Sequence, residues 1–324
     1  MEFPSPMNFN GESILVTGGT GFIGRHISRY LLSLNVKRVC IFSRDWHKQL
    51  SLRGELGNPP NFRWFIGDVR DKDRLFRAFS GVDYIIHAAA IKDIVSSEYN
   101  PREVLLTNCL GTQNVIEAAI DCGVKKVLFL SSDKSVSASS TYGRSKALSE
   151  NLIVAGNSYA PLKTVFSALR YGNVVGSSSS VIEIFLQQKS DGKITVTHPD
   201  MTRFWITPLQ AVRLIFDCLE QMQGGEIFVP HLPAAPIMQV AAAIAPNAKI
   251  EIIGRRPGEK IHELLISSEE SRRTKDMGWA YRIEPEFNFW GASLTGGSPV
   301  LGGWIYSSAS APRLSAEDIT TILP

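Results

Sequence analysis

The chain has 324 residues, 44% of them hydrophobic and 20% charged, with a formal net charge of +3. That length and apolar content suit one large two-lobed domain or two small ones with a proper core, and exclude a disordered chain. Lysine and arginine are spread along the sequence instead of clustering, so no nucleic-acid footprint is indicated.

Six short runs rich in β-branched residues, Ser13–Thr17, Arg38–Ser43, Phe62–Ile66, Tyr84–Ala88, Lys126–Ser131 and Thr164–Tyr171, alternate with helical periodicities. This is the sequence form of an α/β fold, a doubly wound Rossmann-type parallel sheet covered by helices. The first run leads into Thr17-Gly18-Gly19-Thr20-Gly21-Phe22-Ile23-Gly24. Glycines at that spacing, between a strand and a helix, let the backbone approach a pyrophosphate, which the helix N-terminus then binds through its N–H groups.

The second strand ends in Ser43-Arg44-Asp45, with Lys48 close behind. Arg44 suits the extra phosphate of NADP, so NADP is favoured over NAD, while Asp45 is either a helix cap or a ribose ligand. After the third strand, Gly67-Asp68-Val69 is placed to touch the adenine, although Asp68 could equally cap the helix that starts near Asp71. Between the fourth and fifth strands, Asn100, Pro101 and Glu103 read as N-cap, N1 and N3 of a long helix ending at Gly123.

Ser131-Ser132-Asp133-Lys134 sits at the carboxyl end of the fifth strand, where open parallel sheets bind ligands. Ser132 can hydrogen-bond a reacting hydroxyl. An acid and an amine side by side suit an elimination, in which one group protonates a leaving hydroxyl and the other removes a proton made acidic by a neighbouring ketone. The alternative is a salt-bridged turn. Next, Tyr142 and Lys146 stand four residues apart on one helix face, where a cation favours the phenolate and readies the tyrosine for proton exchange. In isolation such a pair is an ordinary feature of an amphipathic surface helix; its place after a nucleotide-binding half gives it a function.

Beyond Tyr171 the alternation is lost and Gly, Pro and Ser increase, notably at Ser177–Ser180, Pro230–Pro236 and Gly296–Gly303. We assign residues 1–175, with a return segment near 202–229, to the nucleotide-binding domain, and residues 176–201 and 230–324 to a smaller substrate-binding lobe. Cys40, Cys109, Cys122 and Cys218 have apolar neighbours and no CxxC spacing, which suggests buried thiols in place of a disulfide framework. The six histidines offer no metal-ligand spacing, and no metal is expected. His87 is expected at the end of a buried strand. Trp205, Trp279, Trp290 and Trp304 either stack on a base or pack in the core. Met1-Glu2-Phe3-Pro4 opens no signal-peptide pattern, and no apolar stretch is long enough to span a bilayer, so a cytoplasmic location without membrane insertion is expected.

At these residues the chain resembles the extended short-chain dehydrogenase/reductases, and more closely the inverting UDP-N-acetylglucosamine 4,6-dehydratases among the polysaccharide biosynthesis proteins. The resemblance runs almost end to end. It is carried by the glycine motif, Ser43-Arg44-Asp45, His87-Ala88-Ala89-Ala90, Lys92, Glu98-Tyr99-Asn100-Pro101, Ser132-Asp133-Lys134 and Arg170–Ser177. Met201–Thr207, Gly224–Pro230 and Arg256-Pro257-Gly258-Glu259-Lys260-Ile261-His262-Glu263 extend it through the second lobe. What the resemblance implies is a hydro-lyase reaction. Tyr142, supported by Lys146, takes the proton of the sugar 4-hydroxyl as hydride leaves C4 for NADP. Lys134 then removes the C5 proton while Asp133 protonates the departing C6 hydroxyl, and hydride returns to C6. Protonation of C5 from the opposite face inverts that centre and yields a UDP-4-keto-6-deoxy-L-arabino-hexose for bacterial surface glycans.

The resemblance also implies cofactor contacts at Gly18, Thr20, Gly21, Phe22, Ile23, Gly24, Ser43, Arg44, Asp45, Lys48, Asp68, Val69, Ala88 and Lys92, besides Tyr142 and Lys146. Lys92, Asn173, Val181, Ile182, Phe185, Arg203, Arg256 and Glu259 would bind the UDP-sugar, the arginines on the diphosphate and Glu259 on ribose hydroxyls; the alternative for each arginine is a surface salt bridge. A homo-oligomer is expected. Tyr142 marks the inverting type, because related retaining dehydratases carry Met there. The sequence departs from the family at Asp93-Ile94-Val95, Ser137–Ser140 and Ser178, which ring the expected sugar site. The competing functions are a nucleotide-sugar 4-epimerase, a dehydratase with 5-epimerase activity, and a non-catalytic NADP-sensing protein.

Overall fold

The computed structural model describes residues 9–177 and 180–323. The expectations placed on Met1-Glu2-Phe3-Pro4 and on Ser178 lie outside the described residues. Six parallel strands form as the apolar runs predict: β1 (Ser13–Thr17), β2 (Arg38–Ser43), β3 (Phe62–Ile66), β4 (Tyr84–His87), β5 (Lys126–Leu130) and β6 (Val165–Leu169). They lie in the order β3-β2-β1-β4-β5-β6, so the chain reverses direction across the sheet between β1 and β4. That reversal leaves a crevice at the strands' C-terminal ends. Beyond β6 the sheet continues with Ile227–Pro230, parallel to it, and with the antiparallel strands Ala280–Ile283, Thr274–Asp276 and Ser298–Pro299.

The connecting helices are α1 (Phe22–Leu32), α2 (Trp46–Glu55), α3 (Lys72–Phe79), α4 (Ile94–Tyr99), α5 (Pro101–Val104), α6 (Gly111–Asp121) and α7 (Thr141–Tyr159). The long helix expected from Asn100 to Gly123 is α5 and α6 joined through a π-helical stretch at Leu105–Leu110. Pro101 opens it and Gly123, at φ 69°, follows its end, but Asn100 does not cap it. Asn100 also closes α4, and its Nδ2 turns back to donate to Ser96 O at 2.9 Å.

Two apolar cores result. The larger fills both faces of the sheet, from Ile14 and Phe42 to Phe166 and Phe228. The smaller gathers Val175, Ile182, Phe185, Val196, Trp205, Ile237, Val240 and Ile319. The strand Thr202–Ile206 does not rejoin the main sheet; it pairs with Asn173–Val174 and Ala234–Pro236, while the helix after it, Pro208–Gln221, packs back on α1 and β5. The division drawn from the sequence placed residues 230–324 in the second lobe. Leu265, Ile266, Ile283, Tyr306 and Ala311 lie instead in the larger core, because Ala280–Ile283 extends the main sheet. Cys40, Cys109 and Cys218 are buried, whereas Cys122 at the end of α6 is half-buried, against the expectation of four buried thiols.

Candidate active site

The crevice widens into a cavity of about 590 Å³ that runs from the glycine turn, past the end of β5, to the smaller core. At its first end Gly18 adopts φ 65°, and a Cβ there would fall 2.9 Å from the Ala89 backbone. Gly21, at the N-cap of α1, has no side chain to satisfy the first-turn N–H groups, which leaves them for an anion. Thr20, Phe22 and Ile23 line the same end. Gly24 is not on the wall; a Cβ there would meet Gly18 O at 2.6 Å, so its role is to let α1 press against the turn.

Ser43, Arg44, Asp45, Lys48, Asp68, Val69 and Ala88 also line the cavity. Gln49 fixes the end of β2, donating to Ser43 Oγ at 3.0 Å and Phe65 O at 2.8 Å. Of the two roles open to Asp45, the structure shows the cap: its carboxylate accepts from Lys48 N at 3.0 Å. Asp68 is not a helix cap, because Asp71 fills that position through Arg74 N at 3.0 Å. Asp68 instead accepts from Arg70 Nη2 at 2.8 Å and stands 3.6 Å from Arg44 Nη1. Arg44 is more than half exposed, so its guanidinium is available to a phosphate. Behind the wall His87 is fully buried between Thr17 Oγ1 at 2.6 Å and Thr112 Oγ1 at 3.0 Å, and burial pushes its pKa down to about 3.

At the end of β5 the chain makes a short 3₁₀ turn, Asp133–Ser135, capped by Ser132. Ser132 Oγ accepts from Lys134 N at 3.2 Å and donates to Asp133 Oδ1 at 2.9 Å. Lys134 Nζ donates to the same Oδ1 at 3.0 Å and to Asn173 Oδ1 at 3.3 Å. Burial works against the Lys134 ammonium, but Asp133 and Glu263 outweigh it and raise the pKa, so the amine rests protonated. Ser132, Lys134, Tyr142, Lys146 and Asn173 line the cavity; Asp133 is closed off beneath the wall, fully buried, and its Oδ2 accepts no hydrogen bond among the described residues.

Tyr142 and Lys146 share one face of α7 as their spacing predicts. The expectation that a lysine cation holds Tyr142 as phenolate is not met at rest. Burial raises the Tyr142 hydroxyl above its ordinary value, Asp133 adds to the rise, and a hydrogen bond to Ser132 only partly offsets it. Lys146 Nζ donates to Leu130 O at 2.6 Å over the Phe129 ring, and burial lowers it to about 7 despite Glu150. Desolvation is the largest influence on both groups.

The far end is lined by Lys92, Asn173, Val181, Phe185, Arg203, Arg256 and Glu259. Ile182 is not on the wall; it points into the smaller core. Arg203 is not a surface salt bridge: it is buried, with Nη1 donating to Thr202 O at 2.7 Å and Nη2 to Lys260 O at 3.0 Å. Glu259 folds onto its own loop, accepting from Arg256 N at 2.9 Å. Asp93, Ile94 and Val95, where the sequence departs from the family, do line the cavity, and Asp93 caps α4 through Ser96 N at 2.7 Å. Ser140 caps α7 through Gly143 N at 3.1 Å. None of the four tryptophans lines the cavity: Trp205 is in the smaller core, Trp279 and Trp304 are half-buried against the larger one, and Trp290 is buried with Nε1 donating to Gly224 O at 3.2 Å.

Several working residues had no role assigned to them by the sequence reading. Asn108, in the π-helical stretch, donates to Ser145 Oγ at 2.9 Å and to Ile91 O at 3.0 Å, tying α7 to the segment after β4. Glu98 accepts from Thr141 N at 2.6 Å and anchors the start of α7. Glu150 and Arg170 form a buried pair at 2.7 Å beneath β5, and Arg170 also reaches Glu270 at 2.7 Å. Glu263 sits on the cavity wall beside Lys134; its signal was its place at the end of the Arg256–Glu263 motif. Among the described residues no cluster of side chains could hold a metal ion, and no helix is long and apolar enough to cross a membrane.

With this geometry in place, comparison with known proteins identifies the kind of site. A family model described as polysaccharide biosynthesis protein matches residues 14–285. The chain is 42% identical over 321 residues to an inverting UDP-N-acetylglucosamine 4,6-dehydratase of Campylobacter jejuni, covering 95% of this chain and 96% of that one. It is 38% identical over 328 residues to a UDP-glucose 4-epimerase of Rickettsia felis, covering 97% and 96%. Among solved structures, Pen from Bacillus thuringiensis superposes with a TM-score of 0.90 at 37% identity, covering 97% of this chain and 98% of that one. The dTDP-glucose 4,6-dehydratase DesIV of Streptomyces venezuelae shares the fold, with a TM-score of 0.70 at 24% identity over 77% of this chain and 86% of that one. The chain belongs to the polysaccharide biosynthesis protein family of extended short-chain dehydrogenase/reductases, enzymes of the nucleotide-sugar dehydratase and epimerase kind.

Proposed function

We propose that the protein is an NADP-dependent, inverting UDP-N-acetylglucosamine 4,6-dehydratase. The observation that carries this reading is the Asp133–Lys134 contact at 3.0 Å beside Tyr142, on a cavity whose other end fits a dinucleotide. The identity to the Campylobacter dehydratase supports it. Bound NADP would supply a hydride acceptor at C4, a hydride donor at C6 later in the cycle and, while oxidised, the positive charge that favours the Tyr142 phenolate.

The chain's own groups account for the protons. Tyr142 accepts the proton of the 4-hydroxyl, and the resulting ketone acidifies C5. Moving one proton from Lys134 Nζ to Asp133 Oδ1 turns the resting ion pair into an amine and an acid. The amine then takes the C5 proton. Because the acid lies beneath the wall, its proton reaches the C6 hydroxyl through Ser132 Oγ, which lines the cavity and bonds Asp133 Oδ1 at 2.9 Å, and the hydroxyl leaves as water when the C6–O bond breaks. Protonation of C5 from the opposite face completes an L-arabino product without net consumption of cofactor. Arg44, with Lys48 nearby, would bind the extra phosphate of NADP, and Arg203 and Arg256 the substrate diphosphate. The free thiols fit a reducing compartment, the cytoplasm.

A UDP-sugar 4-epimerase is the second reading, supported by the Rickettsia relatives. An epimerase needs Tyr142 but has no task for a lysine–carboxylate pair. Incubation with UDP-N-acetylglucosamine and NADP in deuterated buffer separates the two: the dehydratase yields a 4-keto-6-deoxy sugar with solvent deuterium at C5 by NMR. A product that keeps its C6 hydroxyl would sink the dehydratase reading.

A further inference from the structure

Two carboxylates contact the Lys134 ammonium, and they are not equivalent. Asp133 lies beneath the wall, whereas Glu263 is only 3% exposed yet lines the cavity. Glu263 Oε1 stands 3.8 Å from Lys134 Nζ and 3.9 Å from Arg203 Nε, and Oε2 stands 3.3 Å from Lys260 Nζ. Among the described residues Oε2 nevertheless accepts no hydrogen bond, and Lys260 Nζ donates to Val136 O at 2.7 Å instead. Most buried polar atoms close such bonds, so the open Oε2 stands out on the cavity wall. Main-chain bonds hold the residue in place: Glu263 N donates to Ser308 Oγ at 2.9 Å, and Ser308 N to Glu263 O at 2.8 Å.

Resting on the dehydratase reading above, we propose that Glu263 is a positioning residue for the elimination step, which holds Lys134 toward the sugar and sets the pH range over which the Lys134–Asp133 pair keeps the single proton that the step needs. Asp133 pulls the ammonium from below and Glu263 pulls it along the wall. The charges facing Lys134 are Asp133, Glu263 and Arg203; those facing Glu263 are Lys134, Arg203 and Lys260. Both carboxylates favour the protonated amine and Arg203 opposes them. Removing the Glu263 charge therefore lowers both the pH at which the pair takes up a second proton, which sets the acid limb, and the pH at which it loses its only one. The groups that act on Tyr142 and Lys146 are Ser132, Asp133, Glu150 and Cys109, so C4 oxidation stays outside the reach of Glu263.

The test uses the full chain with NADP and UDP-N-acetylglucosamine in deuterated buffer across a pH series. Oxidation is read from the near-ultraviolet absorbance of reduced nicotinamide in a single turnover, and elimination from deuterium at C5 and loss of the C6 hydroxyl. In Glu263→Gln oxidation should be unchanged, elimination about tenfold slower on its plateau, and the acid limb of elimination moved to lower pH. Ser308→Ala, which loosens the same backbone but keeps the charge, should leave that limb in place. If Glu263→Gln does not fold, Lys260→Met reads the same cluster with the opposite sign, moving the limb to higher pH. An unmoved limb in the charge variant, a proportional fall of oxidation and elimination, or the same shift in Ser308→Ala overturns the inference. Wild-type protein that keeps the C6 hydroxyl removes the dehydratase reading and this inference with it, whereas a dehydrating wild type with an indifferent Glu263→Gln removes the inference alone.

Discussion

Arg44 and Asp45 are neighbours at the end of β2 with different tasks. Asp45 uses its carboxylate as the cap of α2, which leaves Arg44 as the group that would read the cofactor's ribose. Because charge-assisted bonds of this kind contribute about 1.5–3 kcal/mol, Arg44→Ala should weaken NADP binding by roughly tenfold to a hundredfold and leave NAD binding nearly unchanged, measured by calorimetric titration. At this scale the sequence was most informative where a residue type and a strand end coincide, as at Gly18, Ser132 and Lys134. It was least informative where a role depends on what surrounds a side chain. Nothing in the order of residues places Asp133 beneath the wall, turns Ile182 inward, or shows that Lys146 meets a carbonyl before it meets a ligand.

Gly143 shows how an element is placed. It lies between Tyr142 and Arg144 in the first turn of α7, and a Cβ there would come within 2.3 Å of Lys134 O and 3.2 Å of Ala138 Cβ. The glycine therefore lets the helix that carries Tyr142 rest directly on the turn that carries Lys134. Gly143→Ala should push the two apart and lower turnover by about tenfold or more, since displacements near 1 Å cost that much, while NADP binding persists. Steady-state kinetics beside a binding titration would check this. The inner parallel strands were legible because buried strands advertise themselves as apolar β-branched runs, and β1 and β2 match the expected bounds, as does the half-exposed edge strand β3. The π-helical stretch at Leu105–Leu110 was not, because its composition is that of any amphipathic helix. What distinguishes it is the tie from Asn108 to Ile91 and Ser145, made across the fold. Asn100 misled for a related reason: it serves two helices and its amide binds the earlier one.

For the whole molecule, the helix Pro208–Gln221 links stability to pH. Asp217 on that helix is buried, and burial, reinforced by Glu220, pushes its carboxyl up to about 7. An unfolded chain would titrate it near the ordinary carboxyl value of 3.8. Between those values the folded state binds more protons, so this group's contribution is full at low pH and is lost as pH rises through about 7. Asp217→Asn should therefore raise the melting temperature by a few degrees at about pH 8 and leave it unchanged near pH 4, read by thermal denaturation.

The chain passes repeatedly between its two cores. After Trp205 in the smaller one it returns to the larger through Ala211–Leu219, goes back at Ile237–Ala245, returns again at Leu265–Ile283, and ends with Ile319 in the smaller. No single cut in the backbone separates the floor of the cavity from its roof. Limited proteolysis should release no self-sufficient half, and the part built around the smaller core cannot be lifted onto another scaffold of this fold as one contiguous insert. Specificity in this architecture is open to change by substitution and resistant to change by shuffling.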